Sequence, residues 1–349
     1  MVVNVAPEPT VESALRQVLQ YENVSFGESG EGPGQYKLPR FIAVTSKGSL
    51  VISDFVNQRV QLVSDAGRHQ HTIGTHGTAP GHINGPSGVA CDSNHIFLCE
   101  GGNHRVQKLS IADGTPVGRA GKHGRDAGNL WCPMGVAVAM RAHGDGAESA
   151  PNKIGEASLL FVADHVNGRV ACFEADKMEH VRTFSERGSE PGQLLYPTGI
   201  AVKDDEVFVA DTGNHRISVF SKKGEFQRVL GETPGGGPGS GPGQLTEPRG
   251  LTFAKGWLVV AESKRLSVFS PPGIFQQCIE LPHVGQLWDC GFDSVSEVCY
   301  VSDIRAGSPK IFALAMRGGS FDDNLSEAEK ASKKTALKKA AEAEKSAKK

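Results

Sequence analysis

Apolar and small or polar residues alternate along 197–220 (PTGIAVKDDEVFVADTGNHRISVF), with Ile200 and Val202, Val207 and Val209, then Ile217 and Val219 in phase. A period of two predicts three short strands. The polar turn Lys203-Asp204-Asp205 separates the first two, and the turn Asp211-Thr212-Gly213-Asn214-His215-Arg216 separates the last two. Three antiparallel strands of this size leave one sheet face wet and do not persist alone. The segment therefore needs copies of itself to pack against.

The copies are present in register. An entry proline recurs at Pro39, Pro86, Pro133, Pro197 and Pro248, a period of about fifty residues with one longer step. A short apolar strand follows each proline: Phe41–Val44, Gly88–Cys91, Gly135–Val138, Gly199–Val202 and Gly250–Phe253. A second strand then ends on an acid, at Asp54, Glu100, Asp164, Asp211, Glu262 and Asp303, and a third opens on Arg59, Arg105, Arg169, Arg216 or Arg265. Fourth strands are expected at Gln70–Gly74, Val117–Gly121, Val181–Phe184 and Gln227–Gly231, each leaving through a Gly/Pro-rich loop. The sixth copy is degenerate, starting near Leu287 with Lys310-Ile311-Phe312 as its third strand and no fourth. Four strands per unit at this period predict propeller blades. Val24–Phe26, before the first copy, reads as the missing fourth strand, which closes the ring and removes an exposed edge. The fold class expected is all-β: a six-bladed β-propeller with four-stranded blades, its last blade closed by the N-terminal strand. A short N-terminal helical extension (1–21), the propeller (22–320) and a Lys/Ala/Glu-rich tail (321–349) complete the organisation.

The pattern Pro-x-Gly-Ile-Ala-Val followed by Val-x-Val-Ala-Asp-x-x-Asn-x-Arg-Ile-x-Val-Phe resembles the NHL repeat. Asn103-His104-Arg105 and Asn214-His215-Arg216 match its commonest form, and the resemblance covers roughly residues 22–316. It implies a six-bladed propeller of a kind used mostly to bind protein or RNA and occasionally for catalysis; fold alone does not choose among these. The family's peptidyl-hydroxyglycine lyases hold zinc through histidines placed directly after the entry prolines. The corresponding residues here are Arg40, Ser87, Met134, Thr198 and Arg249, and only Pro282-His283 keeps the dipeptide. One histidine does not hold zinc, which takes three or four protein ligands. No cofactor and no metal site are therefore expected.

Numbering the strands outward from the axis places the second-to-third and fourth-to-first connections on one face. That face collects the acids, the Asn-x-Arg turns and the residues after each proline. Asp54/Arg59, Asp164/Arg169 and Asp211/Arg216 recur in the same register, so they are expected to build one structural turn per blade, the acid accepting turn N–H groups and pairing with a guanidinium. The residues after the prolines, Arg40, Ser87, Met134, Thr198, Arg249 and His283, are the expected partner-binding set. Ser/His/Asp nucleophile signatures and phosphate loops are absent, and the Gly-rich loops precede strands rather than helices.

Composition narrows the classes further. The 37 basic and 39 acidic residues leave a net charge of −2, and the tail from Asp322 holds eight lysines against six acids, so the propeller itself is net acidic. Phosphate-backbone binding wants a concentrated basic patch, which makes RNA the alternative and a protein partner the primary expectation. A lyase or lactonase-like enzyme on the same propeller ranks third. The tail is too poor in apolar residues for a buried face and reads as a solvated helix or disorder. Thr10–Tyr21 carries Val11, Leu15, Val18 and Leu19 at helical spacing. Met1–Thr10 has no signal-like character and no run reaches membrane-spanning length. Seven cysteines, an odd number without a Cys-x-x-Cys pair, argue for a reducing setting. A monomeric, cytoplasmic propeller is expected.

Overall fold

The computed structural model describes residues 20–139, 158–233, 235–270, 272–281, 284–305 and 309–315. These form six four-stranded antiparallel sheets, each strand hydrogen-bonded to the next. From the inner strand outward, blade 1 is Pro39–Val44, Leu50–Asp54, Arg59–Val63 and His69–Ile73; blade 2 is Pro86–Cys91, His95–Glu100, Arg105–Ser110 and Pro116–Ala120. Blade 3 is Pro133–Ala139, Leu159–Asp164, Arg169–Glu174 and His180–Phe184; blade 4 is Ile200–Lys203, Glu206–Asp211, Arg216–Ser221 and Phe226–Leu230. Blade 5 is Pro248–Ala254, Trp257–Glu262, Arg265–Phe269 and Phe275–Glu280. Blade 6 joins Leu287–Asp293, Val298–Asp303 and Lys310–Ala315 to the outermost strand Gln20–Phe26.

The inner strands adjoin one another in order around the axis, the sixth returning to the first. The ring is closed. Two side chains reinforce the junction: Ser302 Oγ donates to the Arg40 carbonyl at 2.6 Å, and the Ile42 N–H donates to Asp289 Oδ2 at 2.9 Å. The strand that closes blade 6 begins at Gln20, so the last two residues of the helix expected over Thr10–Tyr21 are extended. The rest of that helix, the Met140–Ala157 insert, His283 and the tail lie outside the described residues. Blade 5 also has an outer strand, Phe275–Glu280, which the repeat pattern did not reveal.

Each blade packs both faces against neighbours, which explains its second strand. Leu50–Asp54 is buried at every position, as are the five residues after Glu206 in Glu206–Asp211. Strands covered on both faces read as continuous apolar runs rather than strict alternation. The clusters between blades are separate: Val51, Leu98 and Val89 between the first two, Phe161, Val209 and Phe220 between the third and fourth. Burying each such side chain contributes about 1.5–3 kcal/mol.

The glycine of the Pro-x-Gly pattern has a packing cause. A Cβ on Gly88, Gly135 or Gly199 would land on the carbonyl oxygen of Met134, Thr198 or Arg249 in the next inner strand. The inner strands converge too closely for a side chain there. Blade 6 departs from the pattern with Asp289, whose carboxyl stands where a Cβ on Gly250 would go. All seven cysteines are free, and burial pushes the Cys299 thiol up to about 12. Among the described residues no helix is long and apolar enough to cross a membrane.

Candidate functional site

The entry prolines aim the residues that follow them. In blade 1, pairing passes from Pro39 opposite Asp54 directly to Ile42 opposite Ile52, so Arg40 and Phe41 together face Ser53. The same irregularity occurs after Pro86, Pro133, Pro248 and Leu287. A bulge of this kind re-aims a side chain, and here it turns the residue after the proline toward the axis. Arg40, Ser87, Met134, Thr198 and Arg249 consequently line one cavity of about 850 Å³ at the loop face, together with Trp288.

Register identifies Trp288 as the sixth member of the set. Leu287 faces Asp303 as each entry proline faces its blade's acid. The residue after it is Trp288, whereas the Pro282-His283 dipeptide lies upstream and outside the described residues. Counting back from the acid rather than forward from a proline would have found it.

The lining residues differ in what they have left to offer. Ser87 Oγ donates to the Pro133 carbonyl at 2.9 Å, so its hydroxyl ties blade 2 to blade 3. Thr198 Oγ1 shares a 2.6 Å hydrogen bond with Thr212 Oγ1, and Thr212 Oγ1 reaches the Pro248 carbonyl at 2.7 Å. Arg249 pairs with Glu247 at 2.9 Å and lies 4.3 Å over the Trp288 ring. Arg40 lies 3.3 Å from the Phe55 ring centroid and 4.7 Å from that of Trp288. Its guanidinium has no hydrogen bond or carboxylate partner among the described residues. Burial, with the charge of Arg249 adding to it, lowers its pKa to about 10.

On the rim, His165 Nδ1 donates to the Pro197 carbonyl at 3.0 Å, leaving Nε2 with the lone pair. Burial first, then the charges of Arg40 and Arg187, lower its pKa, so the ring is neutral near pH 7. Tyr196 packs against His165 at 5.3 Å, the rings tilted by 41°, and carries Arg187 over its ring at 4.4 Å; it is 40% exposed. No three His, Cys, Asp or Glu side chains among the described residues converge as a metal site.

The recurrent acids build a second device on the same face. Asp54 accepts the Lys37 N–H at 2.8 Å, Asn57 Nδ2 at 2.8 Å and Arg59 Nε at 2.9 Å, while the rest of that guanidinium holds the carbonyls of Glu31, Gly32 and Gln35. Glu100/Arg105, Asp164/Arg169 and Asp211/Arg216 repeat the arrangement, so each arginine fastens the loop entering its own blade. Glu262/Arg265 keeps it across a shorter turn without the asparagine. Burial raises the Asp54, Asp164 and Asp211 carboxyls despite these donors. The pairs thus hold geometry more than they add net stability.

The histidines of the Asn-His-Arg turns join blades. His104 and His215 sit at φ 55°, and their Nδ1 atoms accept the N–H groups of Cys132 and Glu247, each at 3.0 Å, just before the next entry proline. In blade 1, Gln58 Oε1 does the same for Gly85 N–H.

Comparison with known proteins agrees with this architecture. The family model described as "NHL repeat" matches residues 194–220. The chain carries the NHL repeat. The chain is 38% identical over 80 residues to RING finger protein nhl-1 of Caenorhabditis elegans, covering 23% of this chain and 8% of that protein. It is 32% identical over 105 residues to Protein brain tumor of Drosophila melanogaster, covering 28% and 10%. The matched stretches thus cover about a tenth or less of those relatives. The chain also superposes on a gluconolactonase from Xanthomonas campestris with TM-score 0.57 and 19% identity, over 82% of this chain and 88% of the other. That likeness extends to the fold alone.

Proposed function

We propose that this NHL propeller is a non-enzymatic scaffold that binds a protein partner on the loop face bearing Arg40, Met134, Arg249 and Trp288. One observation carries the reading: the bulges gather these residues from separate blades around one open cavity, with a guanidinium that has no anionic partner among the described residues. Ser87 and Thr198 belong to the set by position, but Ser87 ties blade 2 to blade 3 and Thr198 is engaged by Thr212, which ties blade 4 to blade 5. The turn acids and arginines are structural in this reading, because each satisfies backbone groups of its own blade. The NHL relatives support a recognition module within larger proteins, and the net charge of −2 disfavours a polyanionic ligand.

The test is capture from lysate with ribonuclease treatment, followed by calorimetry with the purified partner. Capture that survives ribonuclease and is lost in the Arg40→Glu/Arg249→Glu variant supports the reading. Capture abolished by ribonuclease overturns it in favour of RNA. A second reading, proton transfer in the same cavity, rests on His165, a neutral ring with its Nε2 lone pair beside Arg40. Turnover of a lactone or an α-hydroxyglycine peptide, lost in His165→Gln, would establish it.

A further inference from the structure

We infer that the loop-face cavity is built to take a single carboxylate from an acidic peptide, held edge-on by the guanidinium of Arg40 with the Trp288 indole N–H and Arg249 beside it. This deepens the partner-binding proposal and rests on it. The donors are in excess. Arg40 lies over the rings of Phe55 and Trp288, and a guanidinium with its faces occupied presents its N–H groups only at its edge. No described residue accepts from them. Trp288 is 9% exposed, and among the described residues its buried Nε1–H has no acceptor and the buried Nε–H of Arg249 has none either. Glu247, the one carboxylate among the described residues that line the cavity, is engaged by Arg249 Nη2. A group that only accepts and is planar enough to meet a guanidinium edge in two places is an ionised carboxylate.

Charge and shape favour a peptide over a nucleic acid. One unpaired guanidinium neutralises one negative charge, whereas a phosphate backbone gains affinity only from many basic contacts at once. Met134 and the two aromatic rings supply apolar wall for the hydrocarbon stem of Asp or Glu.

The full chain, labelled with ¹⁵N at its three tryptophans, provides the first measurement, with Trp288→Phe assigning the resonance. Acetate should move the Trp288 indole signal saturably, chloride at equal ionic strength should not, and Arg40→Met should abolish the response. Arg40→Met removes an unpaired charge and orphans no partner, so a thermal midpoint at or above the wild-type value should show that it folds. The second measurement selects peptides from a random library on the wild-type protein. Those obtained should need one acidic residue, and replacing it by Gln or Asn should weaken binding by about tenfold or more. Arg40→Met should weaken binding to a similar degree, and the two changes together should cost less than their sum.

Absence of a saturable acetate response overturns the inference. So do selected peptides indifferent to Arg40, or oligouridylate displacing peptides from the cavity. An acetate response without any selected peptide overturns the peptide assignment and leaves a small carboxylate as the ligand. A purified partner that binds Arg40→Met as well as wild type removes the carboxylate site but leaves partner binding standing; failure to find any partner strikes the parent proposal instead.

Discussion

Asp289 offers a measurement of how the ring is closed. It occupies the position where blades 2 to 5 carry glycine, is 5% exposed, and accepts the Ile42 N–H across the junction of the last blade with the first. Burial raises its carboxyl to about 7, against an ordinary value of 3.8, in spite of the backbone N–H groups it accepts. The sign follows from linkage. A carboxyl with a raised folded pKa binds its proton more tightly in the native state. Its stabilising contribution is complete below the unfolded value near pH 4 and is lost as pH rises to about 7. At about 1.4 kcal/mol per tenfold change, the difference amounts to ~4 kcal/mol across that window.

Asp289→Asn retains an oxygen to accept the Ile42 N–H and carries no charge. In urea unfolding at pH 5, 6, 7 and 8, the variant should gain on wild type by up to about 1.4 kcal/mol per pH unit until pH 7, then hold a constant advantage. The comparison cancels the other titrating groups, including Asp54, Asp164 and Asp211, shifted in the same direction, and His104 and His165, shifted in the opposite one. Parallel stability curves for the two proteins would refute the reasoning, because they would mean that Asp289 does not titrate differently on folding.

Asp211→Asn leaves the Arg216 guanidinium, 4% exposed, facing a neutral amide with Glu232 at 3.3 Å as its remaining carboxylate and should cost about 1–3 kcal/mol by denaturant melts; the Asp211→Leu/Arg216→Met pair should cost less than the two single changes added together. Gly135→Ala drives a Cβ into the Thr198 carbonyl and should destabilise by about 1–3 kcal/mol or more, while Gly256→Ala, where a Cβ meets no neighbour but φ is +86°, should cost roughly 1 kcal/mol from backbone strain alone. His104→Ala orphans the Cys132 N–H and should cost about 1–2 kcal/mol, and His104→Gln should recover most of it, since Gln58 fills that role in blade 1. Because burial lowers the His104 pKa, its contribution is complete above the unfolded value of about 6.5 and is lost as pH falls from there through the lower folded value; the Gln variant should lack that share of the pH dependence.

The blade count and the closing strand were legible because both follow from local periodicity. Each copy repeats the same alternation, acid and arginine at fixed offsets, and a repeat with two apolar faces must meet its neighbours. The Asp/Arg pairs could be separated from chemistry for the same reason, since a feature present once per blade serves the blade. Legibility failed where a copy departs from the pattern. Leu287 replaces the proline in blade 6, so Trp288 was hidden by the search for a Pro-x dipeptide, and Asp289 in place of glycine passed unnoticed. Tyr196 stands at the rim because it directly precedes its entry proline, in register with Leu38, Cys132 and Glu247, whereas the buried position three before the proline belongs to Tyr36, Ile83, Leu130, Leu194 and Leu245.

The sequence by itself determined that the chain makes four-stranded units, that six of them share one axis, and which residue of each follows the inner-strand bend; these depend on neighbours a few positions apart. Only the tertiary structure decided which of those residues retain unused hydrogen-bonding capacity. Ser87 is tied to the next blade, and Thr198 is held by Thr212, which itself reaches the next blade at Pro248, while Arg40 meets two aromatic rings and, among the described residues, no anion; the partners Pro133, Pro248 and Trp288 come from neighbouring blades brought together by the circle.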